Sequence, residues 1–314
     1  MRKQLGLCLA AVALALGGCS DGADDFGGAT TARVNEAAIM AFETDGSQWP
    51  SNGGSYSEQR YSTLDQINRD TVDRLGFAWQ GDLNAVRGVE ATPIVADGVM
   101  YVSSAWSQVF AFDAATGKKL WEYIPEIRTQ VVRYVCCDVV NRGVAVWKGR
   151  VYVGLLDGRL VALDAATGKV DWETDTLKGK TGAYSITGAP RVIRDKVIIG
   201  NSGADRGARG YVTAYDSETG KQEWRFWIVP QGPKARPENE DVAAAAKTWP
   251  DNPAWEGIGG GTAWDAIAYD PALDLVYVGT GNGGPWKRAL PDDWTDNLYV
   301  SSIVALHGKT GRVA

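Results

Sequence analysis

The chain has 314 residues, a net charge of −6 and 45% hydrophobic residues, with 38 glycines and 13 tryptophans. This composition excludes an intrinsically disordered chain and can supply the core of one large domain or two ordinary ones. The acidic balance argues against a nucleic-acid partner, because phosphate binding requires a basic face.

The first 19 residues have the layout of an export signal. Two basic residues, an apolar run from Leu5 to Leu16 and two glycines lead to Cys19. The run is too short to span a bilayer. The stretch Leu16–Cys19, followed by Ser20, resembles a bacterial lipobox. The resemblance implies a lipoprotein signal peptide at residues 1–19, a lipid on Cys19 and a location on the periplasmic side of the envelope, at the outer membrane. An ordinary secretory signal cut nearby is the alternative.

Residues 20–45 are rich in Gly, Ala and Asp, which is typical of a flexible tether. The remaining residues, 46–314, are expected to form the folded domain. Within that domain the prolines of residues 229–257 indicate a loop excursion, and such insertions commonly carry binding surfaces.

A repeated signature organises the folded part. The template Ala-x-Asp-x-x-Thr-Gly-x-x-x-Trp occurs at Ala111–Trp121, Ala162–Trp172 and Ala214–Trp224, and a fourth copy starts at Ala305. The tryptophan of the fourth copy would fall one residue past Ala314. We therefore expect the chain to be the N-terminal piece of a longer protein.

Each copy follows an alternating apolar stretch that predicts a strand, and Asp-x-x-Thr-Gly predicts a tight turn. The glycines of the first three copies are 51 and 52 residues apart, a spacing that suits a four-stranded propeller blade rather than a sandwich. We expect each tryptophan to pack against the next blade. The longer interval before the fourth copy predicts either an insertion or a unit without the signature.

Cysteine use is restricted to one adjacent pair, because Cys8 leaves with the signal and Cys19 is modified. Cys136 and Cys137 then have no other partner. In an oxidising compartment, a strained disulfide between these neighbours is one reading. Two small buried apolar side chains are the other.

Four further motifs are more specific than the repeat. They are Cys136–Gly143 (CCDVVNRG), Asn201–Gly210 (NSGADRGARG), Gly260–Asp265 (GGTAWD) and Gly279–Asn282 (GTGN). With the opening stretch from Trp49 to Trp79, they resemble the pyrroloquinoline quinone (PQQ)-dependent alcohol dehydrogenases, which are calcium-containing propellers. The resemblance implies an all-β, eight-bladed-type propeller, here incomplete, with about half the blades.

The resemblance also assigns the cofactor pocket. A disulfide of Cys136 and Cys137 would form one wall, Trp264 would stack on the other face of the quinone, and Arg142 would meet its carboxylates. Further cofactor contacts are implied for Glu90, Thr187, Gly203, Ala204 and Thr262. Taken singly, Arg142 is typical of a surface ion pair, Trp264 of a core residue, and Glu90 and Thr187 of ordinary strand positions.

Two residues are implied as metal ligands. Asn282 matches an amide ligand of calcium, and Asp205 stands where the family has glutamate. Because aspartate is one methylene shorter, the resemblance implies calcium or, given Asp205, a larger hard cation. The alternatives are a turn role for Asn282 and, for Asp205, a turn residue paired with Arg206 or Arg209.

The implied reaction is oxidation of a primary or secondary alcohol to an aldehyde or ketone. Calcium polarises the quinone carbonyl, hydride passes to the quinone, and electrons continue to a cytochrome or quinone acceptor. The catalytic aspartate is expected beyond Ala314, so these residues alone are expected neither to fold well nor to turn over. The alternative is a non-catalytic propeller lipoprotein for binding or outer-membrane assembly, and a homologue that has lost its cofactor lies between the two.

Overall fold

The repeat signatures correspond to successive antiparallel sheets. The computed structural model describes residues 32–135, 137–178, 182–232, 235–249, 259–284 and 296–314. The strands, in chain order, are β1 Ile94–Ala96, β2 Val99–Ser103, β3 Val109–Asp113, β4 Lys119–Tyr123, β5 Ala145–Trp147, β6 Arg150–Gly154, β7 Arg159–Asp164, β8 Val170–Asp175, β9 Arg191–Ile193, β10 Lys196–Gly200, β11 Tyr211–Asp216, β12 Gln222–Trp227, β13 Gly259–Gly260, β14 Ile267–Asp270, β15 Leu275–Gly279, β16 Gly283–Gly284 and β17 Ile303–His307. The α-helices are α1 Glu36–Asp45 and α2 Glu240–Ala246, and short 3-10 helices cover Val72–Arg74, Ala105–Ser107, Thr129–Tyr134 and Ala204–Arg206.

Strands that follow each other in the chain also pair in space. Three sheets have the orders β1-β2-β3-β4, β5-β6-β7-β8 and β9-β10-β11-β12, and a fourth has the order β14-β15-β17. The first strands of consecutive sheets are neighbours, β1 beside β5 and β5 beside β9. Up-and-down sheets joined through their first strands are the blades of a β-propeller, so the predicted all-β propeller class is confirmed.

The signature fixes the register at the outer edge of each blade. Its alanine lies opposite its tryptophan in all three complete copies, in the pairs Ala111–Trp121, Ala162–Trp172 and Ala214–Trp224. A register shift follows the alanine each time, as in a β-bulge. The signature aspartate then accepts hydrogen bonds from the threonine amide and hydroxyl, at 2.7 and 2.7 Å for Asp113 and Thr116.

The tryptophans join the blades to one another, as predicted. The Trp121 indole N–H donates to the Ala165 carbonyl (2.9 Å) in the turn of the next blade. Gly168, with φ of 70°, lies under the ring, and a methyl group there would come within 2.6 Å of it. The same contact recurs for Trp172 with Gly220, Trp224 with Gly311 and Trp79 with Gly117. Trp79 therefore docks on the first blade although no Asp-x-x-Thr-Gly turn precedes it.

The N-terminal stretch differs from the expected tether over the described part of residues 20–45. Ala32 and Val34 are buried, and α1 follows, capped by the Asn35 side chain, which accepts from the Ala38 amide at 2.9 Å. Ile39 and Phe42 on α1 are also buried. The helix was not predicted, because a segment rich in small residues has the composition of a flexible linker. Residues 20–31, and the predicted signal with Cys19, lie outside the described residues.

The long interval before the fourth signature is an insertion. Between β12 and β14 the chain forms α2 and β13, and β13 pairs with β16, which follows β15. Val242 and Ala245 of α2 are buried, so the part of this excursion that the structure describes is packed onto the blades. Neither α1 nor α2, nor any other described helix, has the length and apolar character that a membrane crossing requires.

Candidate functional site

Four segments that lead into the innermost strands carry most of the predicted residues. Glu90, Arg142, Thr187 and Trp264 stand three or four residues before β1, β5, β9 and β14, respectively. A parallel bridge between Thr92 and Gly143 shows that neighbouring segments run in the same direction. The residues in front of the innermost strands consequently converge at one end of the propeller axis.

The predicted metal ligands reach the same end from other loops. Asp205 follows β10 and Asn282 follows β15, and both strands are the second of their blade. The second strand is antiparallel to the first, so it ends where the first begins. Two kinds of loop therefore meet on one face. This explains how Arg142 and Asn282, which are 140 positions apart, can share a site.

A cavity of about 230 Å³ lies where these loops meet. Its lining comprises Cys137, Arg142, Thr187, Ser202, Gly203, Ala204, Asp205, Thr262, Trp264 and Asn282. Nine of these ten are residues that the sequence predicted for the cofactor or the metal, and Ser202 is the addition. Of the other predicted residues, Glu90 contacts the lining residue Arg142, and Cys136 lies outside the described residues.

Arg142 lies across the face of Trp264. Its guanidinium carbon is 4.8 Å from the centre of the indole, and its Nη2 is 2.9 Å from Oε2 of Glu90. The Arg142 side chain is 18% exposed and that of Glu90 is 42% exposed, so the arginine is largely covered while its partner faces solvent. The Arg142 backbone amide also donates to the Thr187 carbonyl at 3.0 Å, which ties the second blade to the third beside the cavity.

Trp264 is 46% exposed, which does not fit a core residue. Its backbone is held close to the third blade by glycine. A methyl group at Gly188 would lie 2.3 Å from the Trp264 carbonyl oxygen, and one at Gly200 would lie 2.1 Å from that of Ala263. The indole thus stands in the cavity on a segment that packs directly against the backbone of its neighbour.

Thr187 and Ser202 form a buried hydroxyl pair in the cavity wall. Their side-chain oxygens are 2.6 Å apart, and the Ser202 amide donates to the Ser185 carbonyl at 2.8 Å. One hydroxyl donates and the other accepts, so the accepting group keeps its own hydrogen for a ligand. Ser202 could have been found from sequence, since it stands beside Gly203 in a motif already selected.

Asp205 and Asn282 present oxygen atoms to the same cavity. Asp205 is exposed on the 3-10 turn after Gly203, and Asn282 uses its amide nitrogen to donate to Gly283 at 3.0 Å, which leaves its amide oxygen available. The alternative pairing of Asp205 with Arg209 is not found, because Arg209 binds Glu238 at 2.6 Å. Within the described ranges, Asp205 has no ion pair.

These two side chains could supply only part of a cation's coordination. Calcium takes six to eight oxygen ligands. Among the residues that the structure describes, no cluster of three His, Cys, Asp or Glu side chains could hold a metal ion. A cation here would rest on one carboxylate and one amide and take its other ligands from bound molecules or from elsewhere in the protein.

A buried asparagine shapes the segment between the cysteine pair and Arg142. Asn141 is 1% exposed; its Oδ1 accepts from Ser103 Oγ at 2.6 Å and from the Gly143 amide at 3.1 Å. Its Nδ2 donates to the Gly154 carbonyl at 2.9 Å. Asn141 therefore ties the segment that carries Arg142 to β2 and β6, a role that no sequence signal revealed.

Cys137 lines the cavity with a backbone φ of 67°, in the left-handed region that non-glycine residues seldom adopt. The following residue, Asp138, has a φ of 71° and pairs with Arg87 at 3.0 Å. The bend places the cysteine segment against the cavity. Whether Cys136 and Cys137 form a disulfide stays a prediction.

The fold and the site together define a β-propeller with a cavity at one end of its axis, lined by an indole, a guanidinium, a carboxylate and an amide. The chain belongs to the PQQ family described as the glucose/ethanol/alcohol dehydrogenase β-propeller domain, whose sequence model matches residues 49–314. The family resemblance drawn from the motifs is thereby confirmed.

Individual relatives agree with this assignment. The chain is 54% identical over 287 residues to quinohemoprotein alcohol dehydrogenase ADH IIB of Pseudomonas putida, covering 91% of this chain and 41% of that protein. It is also similar to the crystal structure of quinohemoprotein alcohol dehydrogenase from Comamonas testosteroni, with a TM-score of 0.86, 52% identity and coverage of 90% and 42%. A europium-containing methanol dehydrogenase matches with a TM-score of 0.75, 36% identity and coverage of 88% and 50%. The chain thus spans about two fifths of the length of the two quinohemoprotein relatives and half that of the third.

Proposed function

We propose that this chain is the cofactor-binding portion of a PQQ-dependent alcohol dehydrogenase. The complete protein would oxidise a primary or secondary alcohol to an aldehyde or ketone and pass electrons to a cytochrome or quinone acceptor. The observation that carries the proposal is the convergence of Arg142, Trp264, Asp205 and Asn282 on one cavity. A propeller that binds no cofactor would not require these four side chains to line one cavity.

The residues of the cavity suit a flat anionic molecule. The half-exposed indole of Trp264 provides an aromatic face for stacking, and the guanidinium of Arg142 provides a planar cation for carboxylates. The Thr187–Ser202 pair adds a buried hydroxyl donor. These are the groups that recognition of a planar quinone with carboxylate substituents requires.

In catalysis, this chain would position the cofactor and supply charged groups beside it. PQQ, when bound, would supply the hydride acceptor, and calcium or a larger hard cation would supply Lewis-acid polarisation of its carbonyl. Trp264 would stack on the quinone, and Arg142, held by Glu90, would neutralise its carboxylates. Asp205 and Asn282, which line the same cavity, would hold the cation.

Reconstitution tests the proposal. The complete protein, freed of metal and cofactor, should bind PQQ in the presence of Ca²⁺, with a change in the quinone absorbance, and should then reduce an artificial dye when a short alcohol is added. Trp264→Ala should weaken PQQ binding, and Val170→Ala, at an exposed position on β8 that does not line the cavity, should not. Absence of PQQ binding by the wild type would reject the proposed function.

The location belongs to the same proposal. Cleavage before Cys19 and lipid attachment to that residue would anchor the protein to the periplasmic face of the outer membrane. Mass spectrometry of the mature N-terminus should find a lipid on Cys19, and Cys19→Ala should release the protein in soluble form. An unmodified N-terminus elsewhere would favour an ordinary secretory signal.

A further inference from the structure

The segment Trp49–Glu58 crosses the innermost strands of successive blades. Trp49 pairs with Val95 of β1 through two backbone hydrogen bonds of 2.8 and 2.9 Å. Farther along, the Tyr56 carbonyl accepts from the Tyr269 amide of β14 at 3.2 Å. The segment thus contacts the same strands whose preceding residues form the cavity.

Between these two contacts, the segment binds a buried arginine. Arg191, the first residue of β9, is 6% exposed. Its Nε donates to Glu58 Oε1 at 2.7 Å, and its Nη2 donates to Asn52 Oδ1 at 3.1 Å and Glu58 Oε2 at 3.3 Å. Its Nη1 donates to the carbonyls of Ala189 and Pro190 at 2.9 and 3.4 Å. Every N–H of the guanidinium therefore has a partner.

The two carbonyls bound by Arg191 belong to the segment that holds both sides of the cavity. Thr187, two residues before Ala189, accepts from the backbone amide of Arg142 at 3.0 Å. Gly188 supports the backbone of Trp264, whose carbonyl oxygen would lie 2.3 Å from a methyl group at that position. A shift of the Thr187–Pro190 segment would move the guanidinium and the indole relative to each other.

We propose that Arg191, fixed by Glu58 and Asn52, is a positioning residue for the cofactor pocket. It anchors residues 187–190 so that Arg142 and Trp264 keep the arrangement that a flat ligand needs. The proposal rests on the proposed function for the identity of that ligand. The juxtaposition of Arg191, Gly188 and Trp264 is independent of the ligand.

Fold stability alone does not explain this cluster. A buried ion pair is often replaced by apolar side chains at little cost in stability, because the charges must lose their hydration. The cluster differs from a simple ion pair in that it uses the shape of the guanidinium, with five donors directed at five acceptors on two segments, Trp49–Glu58 and residues 187–190. Lysine cannot reproduce that geometry, so Arg191→Lys should behave like a loss of function at the pocket.

Affinity for PQQ in the complete, Ca²⁺-loaded protein tests the role. Arg191→Met and Arg191→Lys should each weaken PQQ binding by at least about tenfold. Arg194→Met, at a half-exposed arginine on the same β9–β10 hairpin, is the matched control and should bind as the wild type does. In a Trp264→Ala background, Arg191→Met should weaken PQQ binding by a smaller factor than in the wild type, because one of the two groups that it positions is gone.

A second readout does not depend on PQQ. The fluorescence of Trp264, taken as the difference between each protein and its Trp264→Phe counterpart, should become more accessible to acrylamide in Arg191→Met and stay unchanged in Arg194→Met. If Arg191→Met fails to fold, Glu58→Gln serves for both measurements and should show the same changes. Unaltered quenching, or an equal loss of affinity with and without Trp264, would overturn the positioning role. A wild type that does not bind PQQ would instead reject the proposed function, and the quenching result would still decide the role of Arg191.

Discussion

Asp205 presents its carboxylate to the cavity without an ion pair in the described part of the chain, so its charge is available to a cation. We expect Asp205→Ala to lower the affinity of the PQQ-loaded protein for Ca²⁺ at least about tenfold, since even groups that only support a ligand have effects of that size. Titration calorimetry with Ca²⁺ measures the change. Glu122→Gln, in an exposed pair with Lys119, should leave the affinity unchanged. Equal affinities for wild type and Asp205→Ala would remove Asp205 from the metal site.

At the residue scale, sequence motifs predicted the lining of the cavity but not its supports. Arg142, Trp264 and Asn282 stand in short contiguous motifs, so a single chain was enough to select them. Glu58 and Arg191 are 133 positions apart and belong to no motif, and their pairing depends on how the N-terminal segment crosses the blades. Such contacts arise from tertiary packing, which local patterns do not encode.

Glycine at position 188 determines how closely the Trp264 segment can approach the third blade. Alanine would place its methyl group 2.3 Å from the Trp264 carbonyl oxygen, so the backbone must move. We expect Gly188→Ala to lower the free energy of unfolding by about 1–3 kcal/mol, as overpacking does elsewhere, and to weaken PQQ binding as well. Urea unfolding and PQQ titration measure the two effects. Gly76→Ala, where a methyl group would meet nothing within 4 Å, is the control. If Gly188→Ala were destabilised but bound PQQ normally, Gly188 would be needed for packing and not for the cofactor site.

The β6–β7 loop is held by a buried carboxylate. The Asp157 side chain is 1% exposed; it accepts from the Arg128 amide at 3.0 Å and from Arg159 Nη2 at 2.9 Å. Burial by itself would raise the pKa of Asp157, but the hydrogen bonds from Arg159 and Arg128 outweigh it and hold the pKa below its usual value. The carboxylate therefore stabilises the fold above the pKa of an unfolded aspartate, about 3.9. That stabilisation is lost as the pH falls through the lower pKa of the folded state.

Asp157→Asn should accordingly lower the free energy of unfolding by about 1.5–3 kcal/mol near neutral pH, the usual contribution of hydrogen bonds to charged groups. The difference from wild type should stay constant between about pH 7 and pH 5 and should narrow below about pH 4. Urea unfolding at a series of pH values measures it. A difference that did not change with pH would mean that the carboxylate is not the group responsible.

At the element scale, the sequence predicted strands better than helices. The alternating stretches that precede the signatures became β2, β6, β10 and β15. Helix α1 was missed because Ala- and Gly-rich composition was taken as evidence for a tether, while the informative signals were the Asn35 cap and the spacing of Ile39 and Phe42. Counting apolar positions at helical spacing would have found it.

At the scale of the whole molecule, one contact repeats from blade to blade and sets their order. An indole N–H donates to the turn of the next blade, and a glycine with positive φ lies under the ring. The repeat template predicted three of these contacts. The fourth, made by Trp79, was missed because the signature turn is absent before it, although its indole donates to Ala114 O at 3.1 Å in the same manner.

The docking tryptophans should contribute to the free energy of unfolding according to how deeply each is buried. Trp121 is 9% exposed and docks between two complete blades, so Trp121→Ala should lower the free energy of unfolding by about 3–5 kcal/mol, as other large-to-small core substitutions do. Trp121→Phe, which keeps most of the ring contact but loses the hydrogen bond to Ala165, should cost about 1 kcal/mol. Trp79 is less buried, so Trp79→Ala should cost less than Trp121→Ala. Urea unfolding of the three variants measures the order. If Trp121→Ala lowered the free energy of unfolding no more than Trp79→Ala does, the contacts between innermost strands would hold the blades together. The indole contacts would then contribute little to stability.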